Sequence, residues 1–75
     1  MNVIEAVEEA FKGKRIRRAE WFFIDNERCV YVYGYRGFDG KITYLLEHRE
    51  GSKEETPASF SGTDILANDW EVLKA

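Results

Sequence analysis

Cysteine and histidine are almost absent from this chain, which has one of each, Cys29 and His48. A lone cysteine excludes an internal disulfide, and one Cys with one His cannot complete a tetrahedral metal site. No apolar run approaches the roughly 20 residues that span a bilayer. No basic stretch followed by an apolar one marks a secretory leader at the N-terminus. The expected location is therefore the cytoplasm, where an unpaired thiol stays reduced, with no membrane partner. An excess of positive charge is also lacking: 11 basic residues stand against 14 acidic ones, for a net charge of −3. A binder of the DNA or RNA duplex backbone needs a basic footprint that this composition does not supply. Internal repeats and low-complexity tracts are missing too, so residues 1–75 are expected to form a single small domain.

What is present is unevenly placed. Lys12, Lys14, Arg15, Arg17 and Arg18 crowd into one short stretch, while Glu5, Glu8 and Glu9 precede it and Glu47, Glu50, Glu54 and Glu55 follow later. A compact anionic ligand can use such a local basic cluster on an acidic protein; a long polyanion cannot. Aromatic residues make up 15% of the chain. Domains this small bury a limited core and often gain stability by oligomerising, and the aromatics supply apolar contacts for that.

Periodicity predicts an amphipathic helix over residues 2–12. Asn2 serves as N-cap and Glu5 completes a capping box. Val3, Ile4, Val7, Ala10 and Phe11 form the apolar stripe, and Gly13 sits at the C-terminal stop. Lys14 to Arg18 reads as a strand with Lys14, Ile16 and Arg18 on one face and Arg15 and Arg17 on the other. Trp21 to Ile24 extends it after a bend near Ala19 and Glu20. Cys29 to Tyr35 alternates clearly, with Cys29, Tyr31, Tyr33 and Tyr35 opposite Val30 and Val32. Asp39-Gly40 signals a hairpin returning through a strand from Lys41 to Glu47. Residues 48–58 read as a loop, with His48 on the surface. Ser61 to Asp64 opens a short helical turn, and Trp70 to Leu73 forms a last strand with Trp70 and Val72 on one face. The expected fold is α+β: an N-terminal helix packed on an antiparallel sheet of four to five strands.

Two segments carry a family resemblance. Gly13-Lys14-Arg15-Ile16-Arg17-Arg18-Ala19-Glu20-Trp21 follows the first helix, and Thr63-Asp64-Ile65-Leu66-Ala67-Asn68-Asp69-Trp70-Glu71-Val72 closes the chain. Together they resemble the phage Thoeris anti-defence nucleotide sponges of the second type, a family related to a type II anti-CRISPR protein. Its pattern has glycine where this chain has Glu20. The resemblance implies a homo-oligomer, dimer or tetramer, that binds a cyclic ADP-ribose isomer or cyclic nucleotide between protomers. It implies sequestration of that immune signal without turnover, and no cofactor.

The residues suggest how such a ligand would be held. Trp21 offers an indole for base stacking, worth roughly 1–3 kcal/mol per base; the alternative is a core or interface role. Arg18, and behind it Arg17, offers a guanidinium for bidentate phosphate contact; the alternative is a charged strand edge. Thr63 and Asp64 open a helix whose N–H groups and carboxylate suit ribose or an anion, or simply cap it. The tyrosine stripe is the candidate oligomer interface. No nucleophile–His–acid arrangement is apparent, so no catalytic residue is assigned. The competing reading is a protein-binding inhibitor of a host defence or CRISPR component, using acidic surface to occupy a nucleic-acid groove.

Overall fold

The computed structural model describes residues 1–24, 31–49 and 54–73. Helix α1 (Val3–Phe11) begins at the predicted cap: the Asn2 side chain accepts from the Glu5 backbone N–H at 2.9 Å, and Glu5 accepts from the Asn2 N–H at 3.0 Å. Gly13 ends the helix with φ of +96°, a conformation that favours glycine. The chain then runs through β1 (Arg15–Arg18), α2 (Ala19–Ile24), β2 (Tyr31–Arg36), β3 (Ile42–His48), β4 (Thr56–Pro57), α3 (Gly62–Leu66) and β5 (Trp70–Leu73). The five strands form one antiparallel sheet in the order β4-β3-β2-β1-β5. The α+β expectation is met.

Helix α1 covers one face of this sheet. Ile16 lies opposite Val32 on one side and Val72 on the other, which lines up the inward residues of three strands. Ile16, Val32 and Trp70 pack with Ala6 and Ala10 as the buried core. Full burial of a Val- or Ile-sized side chain stabilises by roughly 1.5–3 kcal/mol. The helix buries its small residues rather than its large ones: Ala6 and Ala10 are fully covered, whereas Ile4 is 68% and Phe11 44% exposed. Alanines bring α1 close to the sheet, and Gly34 completes the fit from the other side.

Several local expectations differ from the structure. Trp21 to Ile24 continues as helix α2, not as strand. The switch has a remote cause: the Asp69 backbone carbonyl accepts from Ala19 N–H at 2.9 Å, and the Asp69 carboxylate accepts from Glu20 N–H at 3.0 Å. Those bonds satisfy amides at the helix start, a service usually rendered by a local cap. Strand β1 is not an edge, because β5 pairs along its outer side. Within the 48–58 segment, Thr56 and Pro57 pair with Glu47 and Leu46, giving the sheet a short outer strand. His48 is not an unpartnered surface residue either. It ends β3, stacks on Tyr31 at 4.7 Å, and its Nδ1 lies 3.2 Å from Glu55, whose carboxylate also accepts from the Tyr33 hydroxyl. Cys29 and Val30 lie outside the described residues.

A methyl group on Gly34 would stand 2.4 Å from Ile42 Cγ2 and 2.9 Å from the Ala10 carbonyl oxygen. Such overpacking costs about 1–3 kcal/mol. Gly34→Ala is therefore expected to lower the unfolding free energy by that amount, read as a lower urea midpoint by circular dichroism. An unchanged midpoint would mean that α1 does not approach β2 this closely.

Candidate functional site

The two terminal motifs meet at one end of the sheet, where β1, α2, α3 and β5 converge. Arg18 and Trp70 lie opposite each other in the β1–β5 register. Both face the α1 side, so the arginine that alternation places beside Ile16 is carried into the interior. Only 7% of Arg18 remains exposed. A buried guanidinium requires partners for its charge and its N–H groups, and three carboxylates supply them. Nε donates to Asp69 Oδ1 at 2.7 Å, Nη1 to Asp64 Oδ1 at 2.8 Å, and Nη2 lies 2.7 Å from Glu20 Oε2. These contacts raise the Arg18 pKa, so the residue is a permanent cation.

Asp64 is the second hub. Ser61 caps α3: its hydroxyl accepts from the Asp64 backbone N–H at 3.2 Å, and the Asp64 carboxylate accepts from Ser61 N–H at 3.1 Å. The same carboxylate accepts from Arg18 and, at 3.4 Å, from the Trp21 indole N–H. The Asp64 main-chain carbonyl accepts from the Trp70 indole N–H at 2.9 Å. Both indoles are thereby fixed by one residue, and their rings meet edge to face with centroids 5.2 Å apart. Phe60 also meets Trp70 edge to face, with centroids 5.2 Å apart. Trp70 is core, as its strand position indicates, whereas Trp21 is only partly buried against that core.

The structure thus brings Arg18, Trp21 and Asp64 together, with Thr63 next to Asp64 and exposed on α3. It does not place Arg17 there. Arg17 occupies the opposite sheet face, where its Nε lies 3.4 Å from the cross-strand Glu71 carboxylate. Two members of the cluster had no role assigned from sequence. Asp69 was visible within the C-terminal motif, but its reach to β1 depends on strand pairing. Glu20 was visible only as a departure from the family pattern. At the start of α3 the Asp64 N–H is taken by the Ser61 hydroxyl, and the Ser61 N–H by the Asp64 carboxylate.

One guanidinium among three carboxylates leaves a formal charge of −2 (+1 for Arg18, −3 for Asp64, Asp69 and Glu20). Burial pushes the Asp64 carboxyl up, but hydrogen bonds from Arg18, Ser61 and Trp21 outweigh it and hold the group below the usual carboxylate range. Asp69 is likewise held down, chiefly by its hydrogen bond from Arg18. Among the described residues no cluster of three or more His, Cys, Asp or Glu is arranged to hold a metal ion, and no helix is long and apolar enough to cross a membrane.

Depressed carboxyl pKa values stabilise the folded state above the unfolded value, about 3.9 for Asp, and that contribution disappears as pH falls through the folded values. Stability is therefore expected to be flat above about pH 5 and to decline below about pH 4. Urea denaturation at a series of pH values checks this. Asp64→Asn should be less stable near neutrality yet show a shallower acid decline; an acid slope equal to that of the unsubstituted protein would remove Asp64 from the balance.

A family model described as the Thoeris anti-defense 2-like domain matches residues 1–73, which includes every residue of the junction. No curated protein and no solved structure matches the chain. The match runs through both motifs and through the whole sheet between them, so the chain belongs to the Thoeris anti-defense 2-like family and is a phage-type anti-defence protein.

Proposed function

We propose that this protein sequesters a cyclic ADP-ribose-type or cyclic nucleotide immune signal in the cytoplasm of the infected cell, without turnover, at a site completed by a second copy of the chain. The observation that carries the proposal is the junction itself. Trp21 is a partly buried aromatic whose ring orientation is fixed by the Asp64 carboxylate. Thr63, next to Asp64 in sequence, is exposed, and Arg18 donates to the same Asp64 carboxylate. An immobilised indole suits stacking of a base, because little rotamer freedom remains to be lost on binding. The Thr63 hydroxyl and the outer lone pairs of Asp64 suit ribose hydroxyls, which donate as well as accept. Arg18 is the candidate for phosphate. Arg17, on the far sheet face, would reach the ligand of a neighbouring protomer rather than that of its own.

Sequestration requires affinity and no nucleophile. The junction is built of groups that hold and orient: two indoles, a guanidinium and carboxylates already committed to hydrogen bonds. Calorimetry against cyclic ADP-ribose isomers and cyclic di- and trinucleotides tests the proposal. Stoichiometric binding is expected, and Trp21→Ala should weaken it roughly tenfold to a hundredfold, the equivalent of one lost stack. Silence across the whole panel, or a Trp21→Ala variant that binds equally well, contradicts the site.

The open sheet face supports the oligomer. Tyr31, Tyr33 and Tyr35 point away from α1, and Tyr35 stacks on Tyr44 with ring centroids 4.9 Å apart. Tyr35 and Tyr44 remain 41% and 48% exposed, and Phe38 at the hairpin tip is fully exposed. Exposed aromatic surface of this kind supports reading this face as the interface. Tyr44→Asp is expected to reduce the mass of the assembly in sedimentation equilibrium. An unchanged mass would move the interface elsewhere.

A further inference from the structure

Arg18 is held by three carboxylates that are not equivalent. Asp64 and Asp69 are bound into the fold: Asp64 caps α3 and holds the Trp21 indole, and Asp69 receives the Glu20 amide that starts α2. Their side chains are 14% and 35% exposed. The Glu20 side chain is 49% exposed, and its ion pair is with Arg18 Nη2 at 2.7 Å. Nη2 has a second contact, to Asp69 Oδ2, but a longer one of 3.5 Å. The outward donors of the buried arginine are thus closed by the one carboxylate that can leave without undoing a cap or a helix start.

We propose that Glu20 is a built-in anion on Arg18 and a specificity-determining residue of this site: it occupies the position that a phosphate oxygen of a nucleotide ligand takes, and it must swing out before an anion is admitted. The proposal rests on the nucleotide-binding reading of the junction and adds to it the residue that controls anion entry. Two consequences follow from charge alone. With Glu20 in place the cluster carries a formal −2, which repels anions generally. Only a ligand with enough further contacts, such as a base on Trp21, offsets the displacement. Free inorganic phosphate, which makes none of those contacts, is excluded. A half-exposed ion pair is inexpensive to break, so the closure discriminates against weak anions without preventing access by a strong ligand.

The experiment compares the unsubstituted protein with Glu20→Gln and, as a control, Glu8→Gln. Glu8 lies on the exposed side of α1, and its neutralisation changes net charge by the same amount at a distance from Arg18. Inorganic phosphate and pyrophosphate are titrated at fixed ionic strength, with the Arg18 Nε–H and Trp21 indole N–H resonances followed by NMR. Glu20→Gln is expected to bind pyrophosphate roughly two- to fivefold more tightly than the unsubstituted protein, with the Arg18 resonance moving. Glu8→Gln should not differ from the unsubstituted protein. Equal affinities in all three, or a gain in Glu8→Gln that matches Glu20→Gln, overturn the proposal. A cyclic nucleotide titration separates the two readings. If nucleotides bind through Trp21 and Glu20→Gln changes nothing, the closure fails and sequestration stands. If pyrophosphate binding rises in Glu20→Gln while no nucleotide binds either protein, the closure stands and sequestration fails.

Discussion

A single buried cation organises one end of this molecule. Arg18 enters the interior because strand alternation leaves it no other side, and a charge so placed must be neutralised. Loss of the cation itself would leave the largely buried Asp64 carboxylate uncompensated, and removing one partner of a buried pair typically costs about 3–5 kcal/mol. The requirement ties together segments far apart in sequence: β1 through Arg18, α2 through Glu20, α3 through Asp64 and the approach to β5 through Asp69. With only five fully buried apolar residues among those described, two of them alanine, the polar junction bears on specificity of the fold as much as the core does.

The same contacts set the properties of the site. Asp64 holds the Trp21 indole by its carboxylate and the Trp70 indole by its main-chain carbonyl, so the position of the aromatic surface is linked to the state of the ion cluster. Rigidity of this kind favours binding, since a preorganised surface loses little freedom when occupied. It also explains why both motifs occur in one chain. Neither alone closes the circuit: the first supplies cation and indole, the second supplies the carboxylates and the buried tryptophan on which that indole packs.

What the sequence revealed, it revealed through local patterns. The Asn2–Glu5 and Ser61–Asp64 caps, the stop at Gly13, the alternation around Ile16 and Val32 and the last strand at Trp70 are all set by residues within a few positions of one another. Helix α2 was not legible because the group that receives its first amides, Asp69, lies 49 residues beyond Glu20. The place of β1 between two strands was not legible because pairing with β5 is a long-range event. The alternative weighed for Arg18, a solvated residue on a charged strand edge, fails for that reason: the observed arginine is buried and partnered. The link between His48 and Glu55 escaped for the same reason, since it depends on a two-residue strand with no periodic signal.

Binding without chemistry is the claim on which the functional reading turns, and mass spectrometry of the small molecule held by the protein tests it most directly. The protein is incubated with extract from cells producing the cyclic signal, isolated, and denatured to release its contents. Recovery of the unaltered signal in fixed proportion to protomers is the expected result. A protein that emerges empty while the signal persists in the extract, or one that returns the signal cleaved, contradicts it.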